Sequence, residues 1–256
     1  MFKDEVQAVA KAGKNKVSLL RNNKIGYMVS SVLAGLYIGL GIMLIFSIGG
    51  ILTSSGSGAT KIVMGASFGV ALSLVIFAGA ELFTGNNFVM ALSSLEGEVS
   101  WIDTLKIWIA AFIGNLIGSL IGAWAFVVAG LANGSVGEFI AKTSVAKMSA
   151  GVPELFMRGV LCNILVCLAV WCSIKLKSEI GKLVMVFWCL YVFITAGFEH
   201  SVANMTLLAI GLFSSHSAAI TVSGFIYNIG IVTLGNIVGG VLLAVSYHII
   251  SRNKEK

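Results

Sequence analysis

Three side chains with acid–base chemistry, Glu81, Glu199 and His200, lie deep inside stretches that are otherwise apolar. Ionisable groups in such surroundings are costly, which makes them candidates for function. Of the three, only an imidazole exchanges protons near neutrality at its ordinary pKa. Thr84 lies in the region of the first half that corresponds to that of His200 in the second, and a hydroxyl beside an imidazole could hold a small anion or its weak acid. The glutamates read two ways. They could accept from backbone N–H groups freed at a helix break, beside a helix N-terminus that favours an anion, or they could contact a permeating species directly. His216 and His248 fall at the ends of apolar stretches and read as interfacial residues. Cys162, Cys167, Cys172 and Cys189 show no metal-ligand spacing and read as small packing residues. No metal, cofactor or nucleic-acid partner is implied.

Of the 256 residues, 57% are hydrophobic and 11% are charged, and the mean hydropathy is +0.97. A soluble domain carries about a quarter charged residues. Seventeen Lys and Arg with eleven Asp and Glu cannot clothe a water-facing surface of this size. Composition therefore excludes a soluble globular enzyme, and equally a disordered chain. The apolar stretches are far longer than the core of a signal peptide and recur towards the end of the chain. An integral membrane protein forming one unit follows, and the net charge of +6 then concerns topology rather than nucleic acid.

A bilayer core of about 30 Å needs roughly 20 apolar residues of helix. Stretches with few or no charges occur at 26–52, 61–95, 105–131, 155–174, 183–214 and 219–250, so six spans are predicted with both termini on one side. Lys3, Lys11, Lys14, Lys16, Arg21 and Lys24 precede the first span. The other basic residues of that side are Lys106, then Lys175, Lys177 and Lys182, then Arg252, Lys254 and Lys256. Only Lys61, Lys142, Lys147 and Arg158 fall on the other side, so the positive-inside rule puts both termini in the cytoplasm. The expected layout is a basic cytoplasmic arm at 1–25, one six-span domain at 26–250 and a cytoplasmic tail at 251–256, in the cell inner (plasma) membrane. The arm could lie on the membrane face as an amphipathic helix or help to gate the cytoplasmic mouth, and its plainer reading is a headgroup-binding anchor.

The second and fifth stretches are too long for one straight span, and each carries its carboxylate near the middle. The single proline, Pro153, lies outside the spans, but Gly79 and Gly85 flank Glu81, and Gly197, His200 and Ser201 flank Glu199. Both stretches therefore read as discontinuous helices, which membranes tolerate only inside protein or beside a watery cavity. A repeat connects them. Ala78-Gly79-Ala80-Glu81 returns as Ala196-Gly197-Phe198-Glu199, and Gly114-Asn115-x-x-Gly118 returns as Gly235-Asn236-x-x-Gly239. Three spans per copy is an odd number, so the halves must be inverted, an arrangement known to build substrate paths from paired broken helices. Glycines four apart (Gly35/Gly39, Gly65/Gly69, Gly114/Gly118/Gly122, Gly235/Gly239) clear helix faces for close packing.

Four runs together resemble the formate/nitrite transporter family: residues 78–86 (AGAELFTGN), 162–171 (CNILVCLAVW), 197–205 (GFEHSVANM) and 235–240 (GNIVGG). The resemblance covers about residues 26–250 and lies nearest the family's bacterial hydrosulfide-conducting branch. It implies an all-α membrane protein of six transmembrane helices in two inverted three-helix repeats, aquaporin-like, with broken second and fifth helices. It further implies a homopentamer whose protomers each hold a pore for small monovalent anions or their weak acids, with hydrosulfide favoured over formate and nitrite. Carried over by position, His200 and Thr84 are the central pair. Phe68, Leu72 and Phe193 form the cytoplasmic constriction, and Phe83 with Val166 the extracellular one. Asn163, Asn204, Glu199 and Glu81 support the histidine and the breaks, and Lys147 draws anions into a vestibule. Without the resemblance, Phe68, Leu72 and Phe193 read as ordinary core or lipid packing. A proton-coupled symporter shares these residues. A membrane-embedded enzyme would need metal ligands, a CxxC or a nucleotide loop, which these motifs do not supply.

Overall fold

The computed structural model describes residues 1–214 and 217–252, so His216 and the tail beyond Arg252 lie outside the described residues. All regular structure in the described residues is α-helical. The first half comprises α1 (Lys3–Asn22), α2 (Lys24–Ser54), α3 (Thr60–Ser67), α4 (Gly69–Phe77), α5 (Phe83–Leu95) and α6 (Trp101–Val128). The second comprises α7 (Gly134–Ser149), α8 (Val152–Lys175), α9 (Glu179–Ala196), α10 (Ser201–Ser214) and α11 (Val222–Ser251). Among the described residues, six helical stretches are long and apolar enough to cross a membrane: α2, α3 with α4, α6, α8, α9 and α11. The chain is a multi-pass membrane protein.

Glycine spacing sets the tightest helix pairs. Along α2 and α6, Gly114 meets Ser31 and Gly118 meets Val32 and Leu36, so the two helices run in the same direction. The equivalent pair is α8 with α11, where Gly235 meets Phe156 and Gly159, and Gly239 meets Val160. A Cβ on Gly118 would fall on the Val32 carbonyl, and one on Gly239 on the Val160 carbonyl. Small residues let these backbones touch, which is how helices gain packing energy where lipid removes the hydrophobic drive.

The two interrupted spans lie across these pairs. Met64 packs at Gly49, Phe68 and Ala71 at Gly41, and the Glu81 N–H donates to the Ser30 carbonyl at 3.3 Å, so α3 and α4 descend antiparallel to α2. Beyond the break at 78–82, α5 keeps that direction against α6. Trp108 Nε1 donates to the Asn86 carbonyl (2.9 Å), and Thr104 Oγ1 to the Met90 carbonyl (3.2 Å). In the second half α9 breaks at 197–200 and α10 follows, with the Glu199 N–H donating to the Arg158 carbonyl at 3.2 Å. A lesser discontinuity at Phe68 divides α3 from α4. Gly79 and Gly197 open the breaks with φ of +81° and +79°, a backbone region glycine enters without penalty. The inverted three-span repeats and the broken second and fifth helices are thus present.

Two further helices lie outside the six predicted spans, the first where an amphipathic helix was one of the readings and the second unanticipated. Residues 1–25 carry α1, and the connection after the third span carries α7. Val6, Val9, Ala10, Gly13 and Val17 recur at helical spacing and are buried, packed beside Phe88, Val89 and Leu92 of α5 and Met90 with Ile107. The amphipathic face of α1 therefore covers protein. Its N-terminal end is tied down by Phe2, whose ring lies 6.0 Å from Trp171 and 6.2 Å from Tyr247. Arg21 pairs with Asp103 at 2.7 Å, and His248 with Glu96 at 2.6 Å, which gathers α1, the start of α6 and the end of α11 on one side, the terminal side. On the far side α7 mirrors α1. Gly13 packs on Ser93 of α5, whereas Ser144 packs on Gly211 of α10, with the small partner exchanged between helices.

The backbone contact at Gly118 predicts that Gly118→Ala lowers stability by roughly 1–3 kcal/mol. Gly230→Ala, where a Cβ meets nothing within 4 Å, leaves stability unchanged or slightly raised. Thermal unfolding of both variants in detergent checks this, and equal melting points would refute the close-packing account.

Candidate functional site

A helix interrupted inside a membrane strands backbone groups that lipid cannot satisfy. Here one asparagine answers each interruption. Asn115, mid-way along α6, accepts the Phe83 N–H at Oδ1 (2.8 Å) and donates from Nδ2 to the carbonyls of Glu81 (2.9 Å) and Ser31 (2.7 Å). Asn236, mid-way along α11, accepts the Ser201 N–H (2.9 Å) and donates to the carbonyls of Glu199 (3.0 Å) and Gly159 (2.8 Å). Both asparagines are fully buried. Each side chain thus spans a gap in one helix and fastens it to a second. Sequence reasoning had these residues only as members of a glycine-rich repeat, and their amides inside that repeat were the available signal.

The glutamates at the breaks are paired. Lys16 Nζ of α1 donates to both carboxylate oxygens of Glu81 at 2.7 and 2.8 Å, and Asn86 Nδ2 adds a bond at 3.0 Å. In the second half Lys147 Nζ of α7 donates to Glu199 Oε1 at 2.6 Å, and Asn204 Nδ2 to Oε2 at 2.5 Å. Asn204 also reaches Asn228 Oδ1 at 2.8 Å, and Asn228 Nδ2 holds the Lys147 carbonyl at 3.0 Å. Lys16 and Asn86 were missed. Lys16 stands in a run of basic residues that reads as a headgroup contact, and it is its place in the fold rather than its spacing from the glutamate that repeats in Lys147. Asn163 lies fully buried between the halves, with Nδ2 donating to the carbonyls of Thr84 (3.2 Å) and Asn236 (2.6 Å).

Between the breaks, Thr84 Oγ1 and His200 Nε2 are 2.9 Å apart, and both residues are buried. The Ala203 N–H donates to His200 Nδ1 at 3.1 Å, so the imidazole caps the first turn of α10. With Nδ1 accepting, the proton of the neutral ring resides on Nε2 and is directed at Thr84 Oγ1, which leaves the threonine hydroxyl hydrogen to donate elsewhere. The first half has Leu82 at the matching position, without a side-chain cap. The N-terminal turns of α5 and α10 meet at this contact, and helix N-termini carry partial positive charge.

A cavity of about 580 Å³ opens on the far side and reaches His200, lined also by Phe193, Lys61, Lys142, Lys147 and Arg158. The Phe193 ring lies parallel to His200 at 6.0 Å and meets Phe68 edge-on at 5.5 Å, and Leu72 is buried in the same cluster. These aromatics therefore belong to the side away from the termini, the reverse of the expected cytoplasmic position. The reason is distance along each span. Phe193 is about 21 Å from the start of α9 on the terminal side, while Phe68 is only about 12 Å into the span that begins on the far side. Phe83 and Val166 are likewise reversed. The Phe83 ring meets Phe112 at 5.3 Å, about a turn from Asn115 towards the termini, and Val166 follows Asn163 on the way to the terminal end of α8. Lys147 lines the cavity, but its ammonium is engaged by Glu199, and Arg158 is paired with Glu154. Among the described residues no ion pair engages Lys61 or Lys142.

Residues 3–250 match the family profile described as formate/nitrite transporter. The nitrite transporter NirC of Salmonella typhimurium is 42% identical over 246 residues, covering 94% of this chain and 89% of that protein. A solved structure described as an FNT family ion channel superposes with a TM-score of 0.93 at 39% identity, covering 98% of this chain and all of the other. A pentameric formate channel with formate bound gives a TM-score of 0.76 at 28% identity, over 88% of this chain and 96% of that one.

Glu199 is 3% exposed, so removing its partner strands a buried charge. Lys147→Ala is expected to cost roughly 3–5 kcal/mol. Adding Glu199→Gln should recover at least about half of that, because the amide needs no cation. Chemical unfolding of the single and double variants decides it, and additive losses would contradict the pairing.

Proposed function

The chain belongs to the formate/nitrite transporter family, and from that premise we propose that it is a channel for small monovalent anions or their weak acids, passing the His200–Thr84 pair between two apolar constrictions. It is a transporter or channel rather than an enzyme. The observation that carries the reading is the 2.9 Å contact joining the two helix breaks at the inner end of the far-side cavity. Nitrite is the first candidate, since NirC of Salmonella typhimurium is described as a nitrite transporter. Formate, bound in the pentameric neighbour, and hydrosulfide, favoured by the motif resemblance, share its charge and small size. By analogy with that neighbour the protein is a homopentamer in which each protomer carries its own path. The excess of Lys and Arg on the terminal side supports cytoplasmic termini in the inner (plasma) membrane, so the cavity faces outward.

On this reading Lys61 and Lys142 concentrate anions in the vestibule, because among the described residues no ion pair cancels their charges. The ring of Phe68, Leu72 and Phe193 then strips water from the ion. A bare charge among such side chains is expensive, and three features next to the ring lower the cost: the Thr84 hydroxyl, the His200 Nε2–H bonded to it, and the first turns of α5 and α10. Glu81, Glu199, Asn163 and Asn204 hold these groups in place, and Phe83 with Val166 narrows the exit. The Ala203 N–H on Nδ1 supports hydrogen bonding over proton relay through the ring, which favours a channel over a symporter.

Nitrite flux into proteoliposomes, with formate and hydrosulfide as competitors, tests the reading. Asparagine is itself a good helix cap, so His200→Asn should fold while flux falls by about tenfold, the order of one lost hydrogen bond in the barrier. Unchanged flux would remove the imidazole from the path. Lys61→Gln and Lys142→Gln should lower flux at low salt, with the deficit closing as screening increases. A deficit that persists at high salt would refute electrostatic capture.

A further inference from the structure

A volume of about 580 Å³ far exceeds what an anion of two to four atoms occupies, and it falls within the roughly 300–1,000 Å³ of small-molecule sites. Its wall is divided by chemistry. Ile42, Ile45, Phe46, Phe139 and Phe198 supply apolar surface, whereas Lys61 and Lys142 supply positive charge without an ion-pair partner among the described residues. Lys61 is the second residue of α3, at the far-side end of its span, so charge stands at the mouth and apolar surface lies further in. Beyond that surface, Phe68 and Phe193 stand edge-to-face at 5.5 Å, in contact with one another. A hydrocarbon chain cannot pass between rings in contact without displacing them.

We infer that the vestibule is a binding site for monovalent anions with an apolar body, monocarboxylates carrying a hydrocarbon chain, which block permeation from the far side. The head rests at Lys61 and Lys142, the chain lies along Ile42, Ile45, Phe46 and Phe139, and its end stops at the Phe68–Phe193 rings. The inference rests on the channel reading for its consequence, but not for binding itself. Affinity has two independent parts. One is a Coulombic part owed to the two ammonium groups, which salt screens. The other is a hydrophobic part that grows with each methylene removed from water.

Straight-chain alkyl sulfonates of four, six and eight carbons, below their micellar concentrations, serve as probes. They stay charged and therefore stay on the side to which they are added. Nitrite flux is followed in right-side-out and inside-out vesicles, each variant normalised to its own uninhibited rate. Inhibition is expected only from the far side, with the half-inhibitory concentration falling about threefold per methylene. The double variant Lys61→Gln/Lys142→Gln should raise that concentration by about tenfold at every chain length and leave the slope unchanged. Flux untouched by all three sulfonates, inhibition independent of chain length, or equal inhibition from the terminal side would overturn the site. Calorimetry of the purified protein separates the two readings. Sulfonate binding with the same chain-length series but no nitrite flux would contradict the channel alone.

Discussion

A backbone that parts in the middle of a bilayer exposes N–H and C=O groups to a medium that cannot bond them. Asn115 and Asn236 are the answer in this protein, and much of the rest depends on them. Each accepts from the first amide of a half-helix and donates to a carbonyl of the break, while its second amide hydrogen fastens the assembly to α2 or α8. The glycines beside them serve the same end. Gly114 and Gly235 let α6 and α11 approach their neighbours closely enough for a short side chain to reach a main-chain carbonyl.

The proposed site lies where the two halves differ. The frame repeats: a lysine from the peripheral helix on the glutamate, an asparagine five residues beyond the glutamate on the same carboxylate, an asparagine across the gap. The capping position does not repeat, with Leu82 in one half and His200 in the other. A strictly symmetric pair of caps would present two leucines or two imidazoles where the two breaks meet. The observed asymmetry leaves one imidazole, oriented by its own helix, with its Nε2 directed at a hydroxyl of the opposite half. The vestibule adds a second asymmetry, since among the described residues no ion pair engages Lys61 or Lys142 beside the engaged Lys147.

The spans, the two breaks and the inverted repeat were legible because each leaves a periodic or compositional trace: apolar length, a carboxylate beside glycine, a motif returning in order. The peripheral helices left less. The apolar face of α1 is spelled by Val6, Val9, Ala10, Gly13 and Val17, but a face of that kind covers lipid headgroups or protein equally well, and only tertiary packing decides between them. Lys16 and Lys147 read as free charges because a partner tens of residues away leaves no local signal. The sidedness of Phe68, Phe193, Phe83 and Val166 was, by contrast, available from topology. Counting turns from each span's start places them correctly, and position within a motif does not.

A density map at side-chain resolution of the protein in a lipid nanodisc tests the central claim most directly. The account predicts helices interrupted at 78–82 and 197–200, the amide of an asparagine from α6 or α11 bridging each gap, and the His200 ring within hydrogen-bonding distance of Thr84. Continuous helices through both segments, with either asparagine turned away and the imidazole facing lipid, would contradict it.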